Sequence, residues 1–359
     1  MLGVIGIHVG SQYLMNPVAN AHLVAVFEIV TRFAVPIFFF ISAFGLFYNL
    51  DMSKTFDYKN FMQRRFKTVL IPYLTWSFFY IIHDNWHYGY GLPDISYLLK
   101  LIFLGLSKYH LYFLVILLWF YLLMPLWIKI VKNISPKEMI ALLIVQIIFD
   151  YFSSYSTTLN NLIYSLPENS FLRDLLYWRL NYLVLHYIFI FLLGGYLAVH
   201  IDKFFDFIRN NRITIGLAFI LSLISLMTYH YILIFIQKLP LEAAVNTAHQ
   251  LSPLGIIYTI TASIFFFTLF SFAKFSENVK SILSILGKHS YFAYLFHPFI
   301  ITYLTLILQM SGRIMTAPIA IIYYFIVLLL SMFIANKFRN LGTKYSLINK
   351  LTIGVYPRR

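Results

Sequence analysis

No cysteine occurs among the 359 residues, which excludes disulfides, thiolate metal sites and any thioester carried on a protein sulfur. Charge is also scarce. Asp, Glu, Lys and Arg make up 11% of the chain against 60% hydrophobic residues, and the mean hydropathy is +0.78. Such a composition leaves no soluble domain of ordinary size and belongs to the integral-membrane class. The sequence also lacks a glycine-rich Walker loop, an HExxH helix and a GxSxG elbow. ATP-driven pumping and metal-assisted hydrolysis therefore find no support, and no metal site is expected. Internal repeats are absent too, which argues against the repeat-built transporters. The opening MLGVIGIHVGSQYL has neither the basic lead nor the small-residue cleavage site of a secretory signal, so it reads as part of the membrane body.

What charge there is carries topology. Lys and Arg outnumber Asp and Glu by 27 to 13, a net charge of +14. The basic residues cluster at the ends of apolar runs, as topology signals do, so nucleic acid is not an expected partner. A crossing helix needs roughly 17–25 apolar residues. Ten runs are candidates, near residues 1–15, 24–48, 66–83, 110–131, 137–153, 183–201, 213–236, 253–273, 290–309 and 316–337. The patch 95–106, interrupted by Lys100, is too short to cross and reads as interfacial. With the first residue inside, the cytoplasmic connections hold 20 Lys and Arg and the outer ones six; an odd number of crossings would break that alternation. The expected fold is therefore all-α, a multi-pass membrane protein of about ten transmembrane helices with both termini cytoplasmic. It divides into a single transmembrane domain over residues 1–338 and a short basic cytoplasmic tail over 339–359. The longest outer connection, 154–182, carries Glu168, Arg173, Asp174, Trp178, Arg179 and several tyrosines. Its aromatics suit either stacking on sugar rings or a belt at the lipid headgroups.

Against this background the ionisable residues stand out, because each is costly in an apolar segment. His8 lies in a run that is apolar from its first residue. That run has no polar lead-in, so the first helix reads as cut at its cytoplasmic end. His8, Ser11 and Gln12 share one face by i,i+3 and i,i+4 spacing, while Gly3, Gly6 and Gly10 let a neighbour approach. In the second run Glu28 and Arg32 form an i,i+4 pair of opposite charge. At 1.5 Å per residue, His8 and Arg32 each lie roughly 12 Å below the outer ends of their runs. Two arrangements fit. Either Glu28 bonds the imidazole of His8 and favours its protonated form, as for a general base, or Glu28 and Arg32 neutralise each other and His8 bonds a backbone carbonyl. In the ninth run His297 shares a face with Tyr294 and Ser290, just before Pro298. Arg64, Arg65 and Lys67 precede the third run. They either clamp the phosphates of a nucleotide-like donor or anchor the loop on the positive side.

Five segments, in order, resemble the bacterial membrane acyltransferases of acyltransferase family 3: MLGVIGIHVGS, TRFAVPIFFFISAFGLF, FMQRRFKTVLIPY, YHLYFLVILLWFYLLMPLW and LGKHSYFAYLFHPF. The resemblance implies O-acyl transfer, usually of acetyl, from coenzyme A to a hydroxyl of a cell-surface or lipid-linked carbohydrate, with no permanently bound cofactor. It implies that His8 is the essential histidine, here with Glu28 as its orienting partner, and that Arg64, Arg65 and Lys67 meet the acyl donor. Arg32, Ser42, His110, Ser290, Tyr294 and His297 are further candidates within the resembling segments. The family also carries an arginine upstream of the histidine, at a position that would fall before Met1, so a missing N-terminal segment is expected. Acyl-CoA, a carbohydrate acceptor, membrane lipid and glycan-synthesis proteins are the expected partners, and the bacterial plasma membrane the expected location. The rival reading is a polysaccharide or lipid-linked-sugar transporter or flippase, since the same buried polar residues suit a polar pathway. A third is a polytopic partner within a glycan-synthesis complex.

Overall fold

The computed structural model describes residues 1–356; Pro357, Arg358 and Arg359, the end of the expected basic tail, lie outside the described residues. All regular structure is helical, and no strand occurs among the described residues. Helices are what an apolar chain in an apolar solvent requires, since each satisfies its own backbone groups. Among the described residues six are long and apolar enough to cross a membrane: Ala21–Tyr48, Pro136–Tyr155, Arg212–Ile236, Pro253–Phe272, Glu277–Met310 and Ala317–Lys344. Two bent pairs, Tyr112–Leu122 with Met124–Asn133 at 67° and Val184–Val199 with Ile201–Asn210 at 97°, raise the number to eight if each is one crossing.

Two of the ten expected runs fall short of that length and composition. The first forms the 13-residue helix Leu2–Leu14. The third is divided into Tyr58–Arg65, a π turn over Phe66–Leu70, and Ile71–Tyr88, whose last turns carry His83, Asp84, Asn85 and His87. The patch expected in the interface is the ten-residue helix Ile95–Leu104, capped by the Asp94 side chain and closed by Gly105 at φ 72°.

The chain forms two compact units. The first comprises Met1–Tyr48 and Leu193–Asn336, and its core is built round the helix Leu2–Leu14. Ile5, Val9 and Tyr13 pack with Val24, Phe27, Ile300, Ile301 and Tyr323. The glycines set how near the second helix comes: a Cβ on Gly10 would stand 2.6 Å from Phe27 Cβ and 3.1 Å from Glu28 Oε1, and one on Gly3 2.8 Å from Ala34 Cβ. The segment so approached is not a plain α-helix. It passes through a π turn at Ala25–Ile29 and a 3-10 turn at Arg32–Ala34 before Pro36. Pro36 has no N–H to offer the Arg32 carbonyl, so an α ladder cannot run straight through. The amide of Ala34 bonds Thr31 O at 2.8 Å, and the Val30 carbonyl it would otherwise take accepts from the Tyr258 hydroxyl at 2.7 Å.

The second unit comprises Asn49–Leu192 and Lys337–Arg359. Phe120 and Phe191 stack face to face at 4.0 Å in its core. Pro125 follows the 67° bend directly, and there the Trp127 indole donates to the Phe120 carbonyl at 3.1 Å. The region expected as a tail carries the helix Ser346–Ile353, where the Thr352 carbonyl accepts from the Trp76 indole at 3.0 Å.

Gly10→Leu places a branched side chain where Phe27 and Glu28 already stand. Overpacking of this kind costs about 1–3 kcal/mol, and a lower melting temperature of the detergent-solubilised protein is the expected outcome. Gly216, with nothing near its Cβ position, should accept leucine with no such loss.

Candidate active site

Proline and histidine are coupled in the 34-residue helix Glu277–Met310. Pro298 lacks the N–H that would bond the carbonyl of Tyr294, four residues back. The imidazole of His297 fills that place, with Nδ1 2.7 Å from Tyr294 O and 3.2 Å from Ala293 O. A carbonyl only accepts, so Nδ1 carries the proton and Nε2 is the acceptor nitrogen. The backbone thus fixes one tautomer, and with it the nitrogen that His297 presents.

His297 is fully buried and its ring stacks on that of His8, with centroids 5.2 Å apart and planes inclined by 22°. Two imidazoles from helices about 290 positions apart in sequence therefore meet inside the first unit. One helical turn further along Leu2–Leu14, the Ser11 hydroxyl lies 2.8 Å from Glu28 Oε1 and 2.9 Å from the Ile7 carbonyl. Glu28 is 2% exposed, which makes its partners decisive. Its other oxygen faces Arg32 Nη2 at 3.6 Å, and the same Nη2 donates to the Val245 carbonyl at 2.9 Å. The π turn that contains Glu28 positions this chain of contacts, and such turns recur at functional sites. Gln12, the third polar residue of the first helix, accepts from Thr305, whose hydroxyl also lies 2.6 Å from that of Tyr323.

The structure thus brings His8 together with His297, and Glu28 with Ser11 and Arg32. Tyr294 is buried beside His297 and contributes its carbonyl. Ser290 turns back onto the Gly287 carbonyl at 2.8 Å, and Ser42 is half-buried in the helix Pro36–Tyr48. An apolar cavity of about 560 Å³ in this unit is lined by Leu2, Gly3, Ala34, Phe267 and Phe270 among others.

The basic residues belong to the second unit. Asp57 caps the helix Tyr58–Arg65, and the amide and side chain of Asn60 hold its carboxyl below the ordinary aspartate range. The guanidinium of Arg65 sits over the rings of Phe61 and Tyr121, at 5.0 and 5.1 Å. Arg64 and Lys67 are exposed, Lys67 lying 5.8 Å from the Tyr356 ring centroid. His110 is buried edge-on against Tyr80.

One cluster escapes sequence reasoning. Asp150 and His186, both fully buried, are joined at 2.5 Å, and Gln146 bonds Asp150 at 2.9 Å, the Leu185 carbonyl at 3.0 Å and the Phe189 amide at 3.2 Å. These bonds staple the 3-10 turn Val184–Tyr187 that opens the following helix. The only sequence signal is an aspartate ending an apolar run, and its partner lies 36 residues on.

Pro298→Ala restores an N–H that competes for the Tyr294 carbonyl. Histidine ¹⁵N spectra of the labelled protein in bilayers should show His297 as the Nδ1-protonated tautomer in the native chain and a mixture in the variant. An unchanged tautomer would remove the link between the proline and the imidazole.

A family model described as an acyltransferase domain, that of acyltransferase family 3, matches residues 1–336. No curated protein and no solved structure matches the chain.

Proposed function

Because the chain belongs to acyltransferase family 3 and is an acyltransferase acting on groups other than aminoacyl, we propose that it moves an acyl group, acetyl in the simplest case, from acyl-CoA to a carbohydrate hydroxyl. The observation that carries this reading is the stacked pair of His8 and His297, with the tautomer of His297 set by the Tyr294 carbonyl. One imidazole of the pair takes the proton of the acceptor hydroxyl as its oxygen attacks the thioester carbonyl. The C–S bond then breaks, and the thiolate of coenzyme A leaves with that proton. His8 is assigned as this base, and His297, in ring contact with it, as the group that holds its plane. Glu28 acts through Ser11 and Arg32, fixing the first helix one turn from His8, and is a positioning residue.

The donor carries phosphates, and exposed Arg64 and Lys67 are suited to meet them, Arg by its planar fork. Arg65, held over two aromatic rings, anchors the helix that presents Arg64. The short helices Leu2–Leu14 and Ile71–Tyr88 are read as crossings as well, giving ten in the bacterial plasma membrane with both termini cytoplasmic. The 20 to 6 partition of Lys and Arg supports that reading. Transport, the rival use of buried polar residues, has no observation in its favour.

His8→Ala should lower acyl transfer by about 10²–10⁴-fold, the usual worth of a general base, in a protein that still inserts and stays monodisperse. Changing Arg64 and Lys67 together to glutamine should raise KM for acetyl-CoA about tenfold or more while leaving kcat nearly unchanged. Mass spectrometry of surface glycans with and without the gene, seeking a lost acyl increment, tests the acceptor class. Full transfer by the His8 variant would refute the mechanism.

A further inference from the structure

The second unit holds a cavity of about 500 Å³ that the site above does not use, between the helices Ile95–Leu104 and Phe171–Tyr177. Its size falls within the ~300–1,000 Å³ of small-molecule sites. Lys100 Nζ and Asp174 Oδ1, both in its lining, are joined at 2.5 Å, and Ser96 and Asn169 add further donors and acceptors. The rings of Phe103 and Phe171, 6.4 Å apart and inclined by 49°, form apolar walls.

The cavity is built rather than left open by a loose loop. Arg179, 7% exposed, donates to the Ser153 carbonyl at 2.6 and 3.1 Å, to Asn160 at 2.9 Å and to the Leu176 carbonyl at 2.9 Å. These bonds fasten the connection that carries Phe171 and Asp174 at both ends, so little ordering is left to a ligand.

The lining selects its occupant by chemistry. Lys100 and Asp174 are the only charged residues in it and cancel, so an anion gains nothing. Lys100 and Asp174 satisfy each other, but a lipid tail would cover Ser96 and Asn169 without hydrogen bonds, a costly exchange. A neutral ring with hydroxyls on its edge and C–H groups on its face satisfies both kinds of wall.

We propose that this cavity is a carbohydrate subsite, holding one sugar of the acceptor. The assignment rests on the acyl-transfer reading for the identity of the acceptor and on the cavity alone for the class of ligand. The carboxylate of Asp174 and the ammonium of Lys100 bond hydroxyls, and Phe171 carries the sugar face.

The probes are the methyl glycosides of glucose, galactose and N-acetylglucosamine, read by saturation-transfer NMR on the full chain in nanodiscs. At least one should receive saturation from the native protein. Phe171→Ala should reduce that signal about three- to tenfold, the worth of one aromatic contact. Ser96→Trp adds bulk at an exposed wall position, removes no internal contact and should abolish the signal. His8→Ala should keep the signal while losing acyl transfer, which separates failure of this subsite from failure of the mechanism. No saturation of any glycoside overturns the proposal, as does a signal indifferent to Ser96→Trp or displaced equally by glycerol, the polyol of lipid headgroups.

Discussion

A carbonyl freed inside an apolar helix must find a proton donor within the protein, because no water is at hand to supply one. This constraint organises the first unit. Pro298 frees the carbonyl of Tyr294, and the imidazole of His297 takes it. The turn before Pro36 frees the carbonyl of Val30, and Tyr258 takes that. In the second unit the Trp127 indole serves the Phe120 carbonyl at the 67° bend. Each irregularity is thereby converted into a fixed side chain, and in the first case the fixed side chain is an imidazole stacked on that of His8.

The two irregular stretches of the first unit act together on the helix Leu2–Leu14. The π turn brings Glu28 against Gly10 and Ser11, and the helix that contains Pro298 brings His297 against His8. Because the first helix has glycine at positions 3, 6 and 10, it comes close enough to the segment 27–34 for Ser11 to reach Glu28, one helical turn from the contact of His8 with His297. Burial makes those contacts selective: a buried carboxylate without Ser11 and Arg32, or an imidazole without its carbonyl, would carry the full cost of desolvation. The same physics explains the Asp150–His186–Gln146 staple, which orders a turn with no catalytic role assigned to it.

Much of this is legible in the sequence, because the signals are local. An ionisable residue in an apolar run marks His8 and His297, an i,i+4 pair marks Glu28 and Arg32, and small residues at helical spacing mark the close face of the first helix. The long apolar runs convey the all-helical membrane class, and the five segments convey the family that residues 1–336 match. What escapes is tertiary. Nothing in the spacing around His8 indicates that its ring meets His297 or that Ser11 takes an oxygen of Glu28, since these contacts bridge 289 and 17 positions. The interruptions inside the second and third runs are hidden for another reason: hydropathy averages over a window, and a π turn or a 3-10 turn leaves the average unchanged. Pro36 is the visible trace in the second run, as Pro298 is in the ninth, but only the structure tells which side chain answers.

The proposed catalysis at this site requires that His8 and His297, stacked at 5.2 Å, act as one unit. Acyl-transfer rates of His8→Gln, His297→Gln and the double variant, measured with one acyl-CoA and one acceptor, test it directly, since residues that act together lose activity non-additively. If the two histidines act as one unit, the double variant will be no slower than the slower single variant. Losses that multiply would show that the two histidines contribute independently, and would contradict their acting as one unit.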